Sequence, residues 1–429
     1  MPEDTEAEFP KDFMWGASTS AHQVEGNTNN QWTRWEMANA DKLAATAEQR
    51  LHHMPFWHEV KDRAQMPSTY ISGKGIDHYN RYEEDFDLLK KLNLNAFRFG
   101  IEWARLEPEE GVWDEKEVEH YRDYIKAMRD RGIEPVLNIW HWTHPLWFED
   151  MGAFKNKANL KHFDRFVSKL VNEYGSMVTY YITVNEPNTY TASSYLTVDL
   201  LSGLSWPPGE KKITSAFKVY RNLVRAHRRA YKIIKAADSR ARIGIAASLD
   251  NIQAKDPHDL PDEISTKIMR YIWDWWFLRR IGKYQDFIGI NYYFTDYYDG
   301  LFKKSNPSMP VSELGWYMEP EGLYPLLLRA WAHYKKPIIV SENGVADAHD
   351  EYRRWWIEET IVAMERAISQ GVKIIGYFHW SLLDNFEWAT GWLPKFGLVE
   401  VDRQHGMKRT IRPSAKWFAE KITKLTIPK

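Results

Sequence analysis

Eight short β-rich runs recur along the chain, and the segments between them include stretches with the apolar spacing of amphipathic helices, such as residues 83–92 and 118–131. The runs are Phe13–Ser18, Ala96–Trp103, Pro135–Trp142, Val178–Glu186, Ala241–Leu249, Phe287–Tyr293, Pro337–Glu342 and Lys373–Trp380. Several of them, such as VLNIW and PIIVSEN, are almost continuously apolar, which is typical of parallel strands buried on both faces. Eight alternations of strand and helix predict an α/β fold, a closed (β/α)₈ barrel rather than an open doubly wound sheet.

The domain organisation follows from length and from missing signals. A chain of 429 residues is long enough for one large barrel with insertions in its βα loops. No G-x-G-x-x-G follows the first run and no Walker A loop occurs, so the common nucleotide-binding folds lose support. Because no low-complexity linker and no internal repeat interrupts the chain, we expect a single domain over residues 1–429.

Composition and charge limit the classes of partner and of chemistry that we expect for this protein. Lys plus Arg number 57 against 59 Asp plus Glu, so there is no general electrostatic reason to expect a nucleic acid or an acidic membrane as partner. The absence of cysteine excludes disulfides, cysteine nucleophiles and cysteine metal ligands. The acidic start MPEDTEAEFPKDF lacks the apolar core of a signal peptide, and no run of about 18 apolar residues occurs. These features favour a cytoplasmic protein with no membrane partner, and they leave the oligomeric state open.

Polar and aromatic side chains gather where the runs end, which is where catalytic residues lie in (β/α)₈ barrels. They are Arg98, Glu102 and Trp103; His141 and Trp142; Asn185 and Glu186; Asn291, Tyr292 and Tyr293; Glu342 and Asn343; and Trp380, Asp384, Glu387 and Trp388. An isolated Glu after a strand is often explained by the dipole of the following helix. Two Glu at the ends of the fourth and seventh runs, among so many sugar-compatible side chains, favour a catalytic pair.

Glu186 and Glu342 are predicted to face each other across the barrel mouth. Hydrolysis of a glycosidic bond needs such a pair, because one carboxylic acid protonates the leaving oxygen while a carboxylate attacks the sugar or activates water. The pKa values of the two groups must therefore differ. Arg98 can hold one carboxylate charged, and His141 and Asn185 can hydrogen-bond sugar hydroxyls. The strand ends alone thus indicate a glycosidase.

Longer motifs carry a family resemblance. They are FPKDFMWGASTSAHQVEG, HYNRYEEDFDLLKKLNLNAFRFGIEWARLEP, TVNEP, DFIGINYY, IIVSENG and YFHWSLLDNFEW. With these motifs the chain resembles glycoside hydrolase family 1, the β-glucosidase and β-galactosidase family, from Phe9 to nearly its C-terminus. The resemblance implies the (β/α)₈ barrel already predicted from the strand pattern.

The resemblance also implies roles for individual residues. Glu186 of TVNEP matches the acid/base and Glu342 of SENG the nucleophile of a retaining double displacement, with carboxyl groups about 5–5.5 Å apart and a covalent glycosyl-enzyme intermediate. The positions that match substrate-binding residues are Gln23, His141, Asn185, Tyr293, Trp316, Trp380, Glu387 and Trp388. Arg98 and Asn291 match further neighbours of the nucleophile.

The implied substrates are non-phosphorylated β-glucosides and β-galactosides, cleaved from the non-reducing end. Family members that act on 6-phosphorylated sugars lose the acidic residue at the position of Glu387, because a carboxylate repels phosphate. No cofactor or metal is implied, and we expect the segment around His52, His53 and His58 to be a solvated loop insertion. The alternative function is a non-catalytic sugar-binding relative, which the presence of both carboxylates disfavours.

One departure from the family pattern lies before the sixth strand. Trp276-Phe277-Leu278 is followed by Asp286 after only a few residues, where most family members carry several tens of residues. We therefore expect a barrel shortened before strand six, with less helical material there and an unusually accessible site. For Trp273, Trp275 and Trp276 in the same segment, core packing is favoured over an exposed sugar platform.

Overall fold

A computed structural model describes residues 8–197, 202–305 and 310–426 of the chain. Eight parallel strands form a closed barrel in which each strand pairs with the next and the last pairs with the first. The strands are β1 (Met14–Ser18), β2 (Ala96–Gly100), β3 (Glu134–Asn138), β4 (Tyr180–Asn185), β5 (Arg242–Ser248), β6 (Ile288–Tyr292), β7 (Ile338–Asn343) and β8 (Ile374–Trp380). The predicted (β/α)₈ barrel and its eight strands are confirmed.

Helices follow every strand and surround the barrel. Those that pack outside it are His78–Lys91, Glu115–Asp130, Leu160–Tyr174, Ile213–Ala237, Trp276–Ile281, Leu323–Tyr334, Arg353–Ser369 and Pro413–Thr426. The helix Leu160–Tyr174 illustrates why these segments form amphipathic helices on the barrel. Its apolar residues recur every three or four positions, so that one face from Phe163 to Val171 is buried. Among the described residues, no helix has the length and apolarity that a membrane span requires.

The remaining elements belong to the loops. The other helices are Ala21–Val24, Gln31–Ala45, Ala47–Leu51, Trp57–Ala64, Trp103–Leu106, Leu146–Asp150, Pro187–Tyr195 and Leu260–Met269. There are 3₁₀ turns at Pro67–Tyr70, Ala153–Lys155, Lys157–Asn159, Pro320–Gly322 and Trp388–Thr390 and a π-helical turn at Arg270–Trp275. Two small sheets comprise Gln253–Ala254, Tyr297–Tyr298 and Lys304–Ser305, and Val399–Asp402 and Lys408–Ile411.

The barrel interior is a packed core. One buried apolar cluster takes a side chain from each strand or from the residue just before it: Met14, Ala96, Val136, Ile182, Ala246, Phe287, Ile339 and Phe378. The cluster fills the barrel below the carboxyl ends of the strands, as inward-pointing layers do in this fold. Only the carboxyl-terminal mouth is therefore left for a ligand.

One loop segment differs in detail from the sequence-based expectation, and a second agrees with it. His52, His53 and His58 are exposed, as expected for a solvated insertion, but the segment around them is helical and has its own buried apolar cluster. Before β6, only residues 282–287 separate the helix Trp276–Ile281 from the strand, so the barrel is shortened there as predicted.

Candidate active site

Glu186 lies at the junction between β4 and the helix Pro187–Tyr195. The β4–β5 pairing shifts register between Ile182 and Asn185, an irregularity of the kind that re-aims side chains beside active sites. Glu186 itself has a left-handed backbone with φ of 38°, which is costly for a residue with a Cβ and is typical of functional positions. Its N–H donates to Ala246 O at 2.7 Å, which anchors this conformation to β5.

Glu342 occupies the corresponding position near the end of β7. The pairing of β7 with β6 also shifts register, between Val340 and Glu342. Arg98 of β2, which is fully buried, forms an ion pair with Glu342 through Nη1 and Oε1. The Tyr293 hydroxyl donates to the other carboxylate oxygen, Oε2, at 2.7 Å. Both Glu342 oxygens are thus held by donors, as a pre-positioned carboxylate requires.

The environment of Glu186 is different. Burial, followed by the charge of Glu342, raises the pKa of Glu186 to about 8. The Asn291 amide donates to Glu186 Oε1 at 2.7 Å, which favours the charged form and opposes part of that rise. A carboxyl with this pKa is protonated at neutral pH and can act as a general acid.

A hydrogen-bonded network connects the predicted sugar-binding residues behind the pair. Asn185 Oδ1 accepts from Arg98 Nη2 at 2.6 Å and from Asn291 Nδ2 at 3.2 Å, while Asn185 Nδ2 donates to His141 Nε2 at 3.0 Å. The other ring nitrogen, His141 Nδ1, is satisfied by donating to the Asn138 amide oxygen at 3.0 Å. Burial and the nearby Arg98 charge lower the pKa of His141 well below its usual value. His141 is therefore neutral and its tautomer is fixed, with the proton on Nδ1 and the acceptor at Nε2.

On the other side of the mouth, Glu387 is bound to residues from the opposite end of the chain. Gln23 Nε2 donates to Phe386 O at 2.7 Å and to Glu387 Oε2 at 3.3 Å. Asn385 Nδ2 donates to the same carboxylate oxygen at 3.2 Å. The carboxylate of Glu387 thus has a defined place at the cavity wall, although it lies 45 residues after Glu342 in the sequence.

The two Glu open into one cavity of about 490 Å³. Eight predicted site residues line it: His141, Glu186, Tyr293, Trp316, Glu342, Trp380, Glu387 and Trp388. The other four, Gln23, Arg98, Asn185 and Asn291, are fully or almost fully buried behind this wall and hydrogen-bond the residues that form it. The structure therefore brings all twelve predicted residues together.

The cavity also has a wall that the strand-end analysis missed. It contains Asp250 after β5, Trp273 of the π-helical turn, and Asp296 and Lys304 after β6. Trp273 was expected in the core but is half-buried at the cavity, whereas Trp275 is buried as expected. Asp250 could have been found, because it directly follows the predicted fifth run and lies two residues beyond the end of β5, where catalytic-face residues are expected.

A (β/α)₈ barrel with two carboxyl groups of different environment in a single aromatic-walled cavity defines a class of protein, the glycosidases. The sequence profile described as "Glycosyl hydrolase family 1" matches the chain over residues 5–289 and 278–426. The chain belongs to glycosyl hydrolase family 1, and it is therefore a glycosidase similar to β-glucosidases.

Individual relatives agree with this assignment. β-Glucosidase A of Thermotoga maritima is 29% identical over 471 aligned positions, covering 96% of this chain and 97% of the relative. β-Glucosidase A of Acetivibrio thermocellus is 28% identical over 463 positions, covering 96% and 98%. Among solved structures, a β-glycosidase from Pyrococcus horikoshii superposes with a TM-score of 0.83 at 30% identity, covering 99% of both chains.

The matches also locate the shortened segment. The two profile matches meet at residues 278–289, between the helix Trp276–Ile281 and the start of β6. The alignment with the Thermotoga maritima enzyme spans 471 positions against the 429 residues of this chain. Both observations agree with residues missing before β6. The accessibility of the site from this side stays a prediction.

Proposed function

We propose that the protein hydrolyses non-phosphorylated β-glucosides and β-galactosides from the non-reducing end, with retention of configuration. Glu342 attacks the anomeric carbon while Glu186 donates its proton to the departing oxygen. Glu186 then removes a proton from the water that releases the sugar from a covalent glycosyl-enzyme intermediate. The single domain is proposed to comprise residues 1–429.

The observation that carries this proposal is the contrast between the two carboxyl environments. Glu342 is ion-paired with Arg98 and accepts from Tyr293. Glu186 has no cationic partner at hydrogen-bonding distance among the residues that the structure describes, and its pKa is raised to about 8. A charged nucleophile beside a protonated acid is the division of roles that the reaction needs. A non-catalytic sugar-binding protein would have no use for this difference.

The proposed substrate class rests on the cavity wall. Glu387 places a carboxylate where a sugar hydroxyl can donate, and it repels a phosphorylated sugar. Trp380 and Trp388 lie 5.8 and 5.9 Å from the His141 ring between centroids, so aromatic faces surround the same space. The solved relative from Thermotoga maritima in complex with glucoimidazole, at 25% identity and a TM-score of 0.83, is consistent with a glycoside in this cavity.

The test compares initial rates on p-nitrophenyl β-glucoside, β-galactoside and 6-phospho-β-glucoside. We expect turnover of the first two and a loss of several orders of magnitude in Glu342→Gln, with the fold unchanged by circular dichroism. Glu351→Gln, at an exposed position nine residues later, is the matched control and should retain wild-type rates. Near-normal turnover in Glu342→Gln would reject Glu342 as nucleophile.

Two further readouts address the mechanism. The anomer released first, followed by ¹H NMR, is expected to be β, and a 2-deoxy-2-fluoro glycoside should label the Glu342 peptide in mass spectrometry. Glu186→Ala is expected to slow substrates with poor leaving groups much more than activated ones, because only the former need the proton. Release of the α anomer, or equal losses on both substrate types, would contradict the assigned roles. A wild type that binds glucose without turnover would favour the sugar-binding alternative.

A further inference from the structure

A second cavity lies on the outside of the barrel, where the helix Ile213–Ala237 meets residues 155–157. This outer cavity has a volume of about 290 Å³ and is lined by Lys155, Asn156, Lys157, Lys218, Arg221, Asn222 and Arg225. None of these residues lines the catalytic cavity. Five of the seven are cations and two are amides, so the part of the chain that the structure describes contributes no carboxylate to this wall.

Three of the cations belong to one face of the helix. Lys218, Arg221 and Arg225 are spaced by three and four residues, so their side chains are neighbours on the helix surface. Like charges at this spacing destabilise a helix. The helix Ile213–Ala237 contains no acidic residue that could offset them. The repulsion among the three side chains therefore has to be compensated from outside the helix.

Cations in the second half of the same helix are compensated by neighbouring elements. Arg229 forms an ion pair with Asp164, and Lys235 forms one with Asp286.

The cations of the outer cavity differ in this respect. Lys155 pairs with Glu210. Within residues 8–197, 202–305 and 310–426, however, no ion-pair partner is found for Lys218, Arg221 or Arg225, and none for Lys157. Four cations without an acidic partner thus line one cavity, and such a concentration of positive charge in a concave surface attracts anions.

Asn222 gives the outer cavity a defined shape. It is only 3% exposed, and its Nδ2 donates to Phe154 O at 2.8 Å, which ties the helix to the turn Ala153–Lys155. Its Oδ1 accepts from Arg225 Nη1 at 2.6 Å and so holds the guanidinium at the cavity wall. The other N–H groups of Arg225 make no hydrogen bond to the residues that the structure describes. A guanidinium that is held in place and has free donors is suited to binding the oxygens of a phosphate.

We propose that the outer cavity binds the phosphate group of a small molecule, with Lys157, Lys218, Arg221 and Arg225 as its donors. A phosphate carries more negative charge than a carboxylate and has several acceptor oxygens, so it can engage several cations at once. A nucleic acid is less suited, because its backbone needs an extended basic groove rather than cations around one cavity. The site is separate from the catalytic cavity and does not depend on the proposed hydrolysis.

Isothermal titration calorimetry at constant ionic strength, with inorganic phosphate and with glucose 6-phosphate, measures the binding. We expect one saturable site in the wild type. In Arg221→Gln/Arg225→Gln the dissociation constant should rise at least about tenfold, because two charged hydrogen-bond donors are lost. Tighter binding of glucose 6-phosphate than of phosphate would support the site with a sugar phosphate as its ligand, and equal affinities would support it with phosphate itself.

Two further variants make the test specific. Lys157→Gln/Lys218→Gln changes exposed side chains and leaves the contact between Asn222 and Arg225 intact, so it should fold normally and still bind phosphate more weakly than the wild type. Arg228→Gln/Arg229→Gln is the matched control, because it removes two charges from the same helix outside the outer cavity. This control should bind phosphate like the wild type.

The phosphate site is overturned if the wild type shows no saturable binding, or if the control weakens binding as much as Arg221→Gln/Arg225→Gln does. A single-stranded DNA oligomer whose affinity rises with each added nucleotide, while phosphate alone does not bind, would replace it with a nucleic-acid surface. All variants should hydrolyse p-nitrophenyl β-glucoside at the wild-type rate, since none of the changed residues lines the catalytic cavity. Melting temperatures identify a variant that fails to fold.

Discussion

Burial removes water from the Glu186 carboxyl, and the charge of Glu342 adds to the free energy needed to ionise it. The hydrogen bond from Asn291 and the more distant Arg98 act in the opposite direction but do not outweigh these two effects. Glu342, at the same barrel mouth, is in direct contact with Arg98. One arginine on β2 thus makes two chemically identical side chains different, because it pairs with one and not with the other.

The pH dependence of hydrolysis should report this difference. Because Glu186 must be protonated to act as the acid, kcat/KM is expected to fall as pH rises through about 8, the pKa of the carboxyl. In Glu342→Gln the neighbouring charge is removed, so the pKa of Glu186 should decrease. It should still stay above the usual value, because burial is the larger cause.

The pH profile of kcat/KM measures the pKa of Glu186 in the wild type. ¹³C NMR of labelled Glu side chains measures the decrease of this pKa in the inactive variant Glu342→Gln. Glu351→Gln, at an exposed position that does not line the cavity, serves as the control and should leave both titrations unchanged. An alkaline limb near pH 5, or a Glu186 pKa that does not move in Glu342→Gln, would contradict the electrostatic account.

At the scale of single elements, the eight strands were readable because parallel barrel strands are continuously apolar and end in polar residues. The predicted positions of the strand ends were less accurate. The second run was predicted to reach Trp103, but β2 ends at Gly100 because Trp103 already begins the short helix Trp103–Leu106. Glu186 and Tyr293 likewise lie one residue beyond the ends of β4 and β6, because strand-end residues that carry chemistry can leave the ladder for a helix or loop. Glu342 and Trp380, in contrast, lie within β7 and β8.

Other elements were missed. The predicted fifth run ends at Leu249 without an aromatic or amide residue, so it was not grouped with the other strand ends, and Asp250 follows it directly in a loop that lines the cavity. The π-helical turn Arg270–Trp275 has the spacing of an ordinary helix in the sequence, but its wider turn carries Trp273 to the cavity. The twelve predicted site residues were found because they lie at strand ends or match positions of a known family, whereas the wall formed by Asp250, Trp273, Asp296 and Lys304 belongs to the connecting segments after β5 and β6.

Asp274, in the same π-helical turn, is expected to make stability depend on pH. Burial raises the pKa of Asp274 to about 8, so in the folded state it is protonated at pH values where the unfolded chain is ionised. The stabilisation from its raised pKa is fully present below pH 4 and is lost as pH rises to about 8. We expect the pH-dependent loss to be smaller in Asp274→Asn, which keeps an acceptor oxygen for the Asp250 N–H.

Urea unfolding at pH 5 and pH 8 measures this effect. Each carboxyl that stays protonated only in the folded state contributes a slope of about 1.4 kcal/mol per pH unit, and Asp274→Asn removes one such carboxyl. Asp256→Asn, at an exposed loop position, is the control and should follow the wild type. An identical pH dependence in wild type and Asp274→Asn would show that Asp274 ionises normally in the folded protein.

On the scale of the whole molecule, the two ends of the chain close the barrel. β1 pairs with β8 at five positions, from Met14 with Gly376 to Ser18 with Trp380. The last of these pairs contains Trp380, which lines the cavity, and Gln23 in the segment after β1 donates a hydrogen bond to Glu387. The sugar-binding side of the site therefore exists only when the first and last strands are joined.

The C-terminal helix Pro413–Thr426 covers this junction. Phe418 is fully buried, and its ring lies 6.1 Å from Trp15 of β1 and 5.9 Å from Tyr377 of β8 between centroids. Phe418→Ala removes a side chain that contacts both strands, and a buried Phe→Ala change lowers the free energy of unfolding by about 3–5 kcal/mol. Chemical denaturation measures the loss directly.

Trp417 provides the comparison, because it is the neighbouring aromatic residue of the same helix but is half-buried and lies against Arg354 on the outside. Trp417→Ala should cost much less than Phe418→Ala, although Trp is the larger side chain. Since neither residue reaches the cavity, kcat on p-nitrophenyl β-glucoside should stay close to wild type well below the melting temperature. Equal destabilisation by the two variants would mean that the helix stabilises the fold through its total apolar area, and not through the contact that joins β1 to β8.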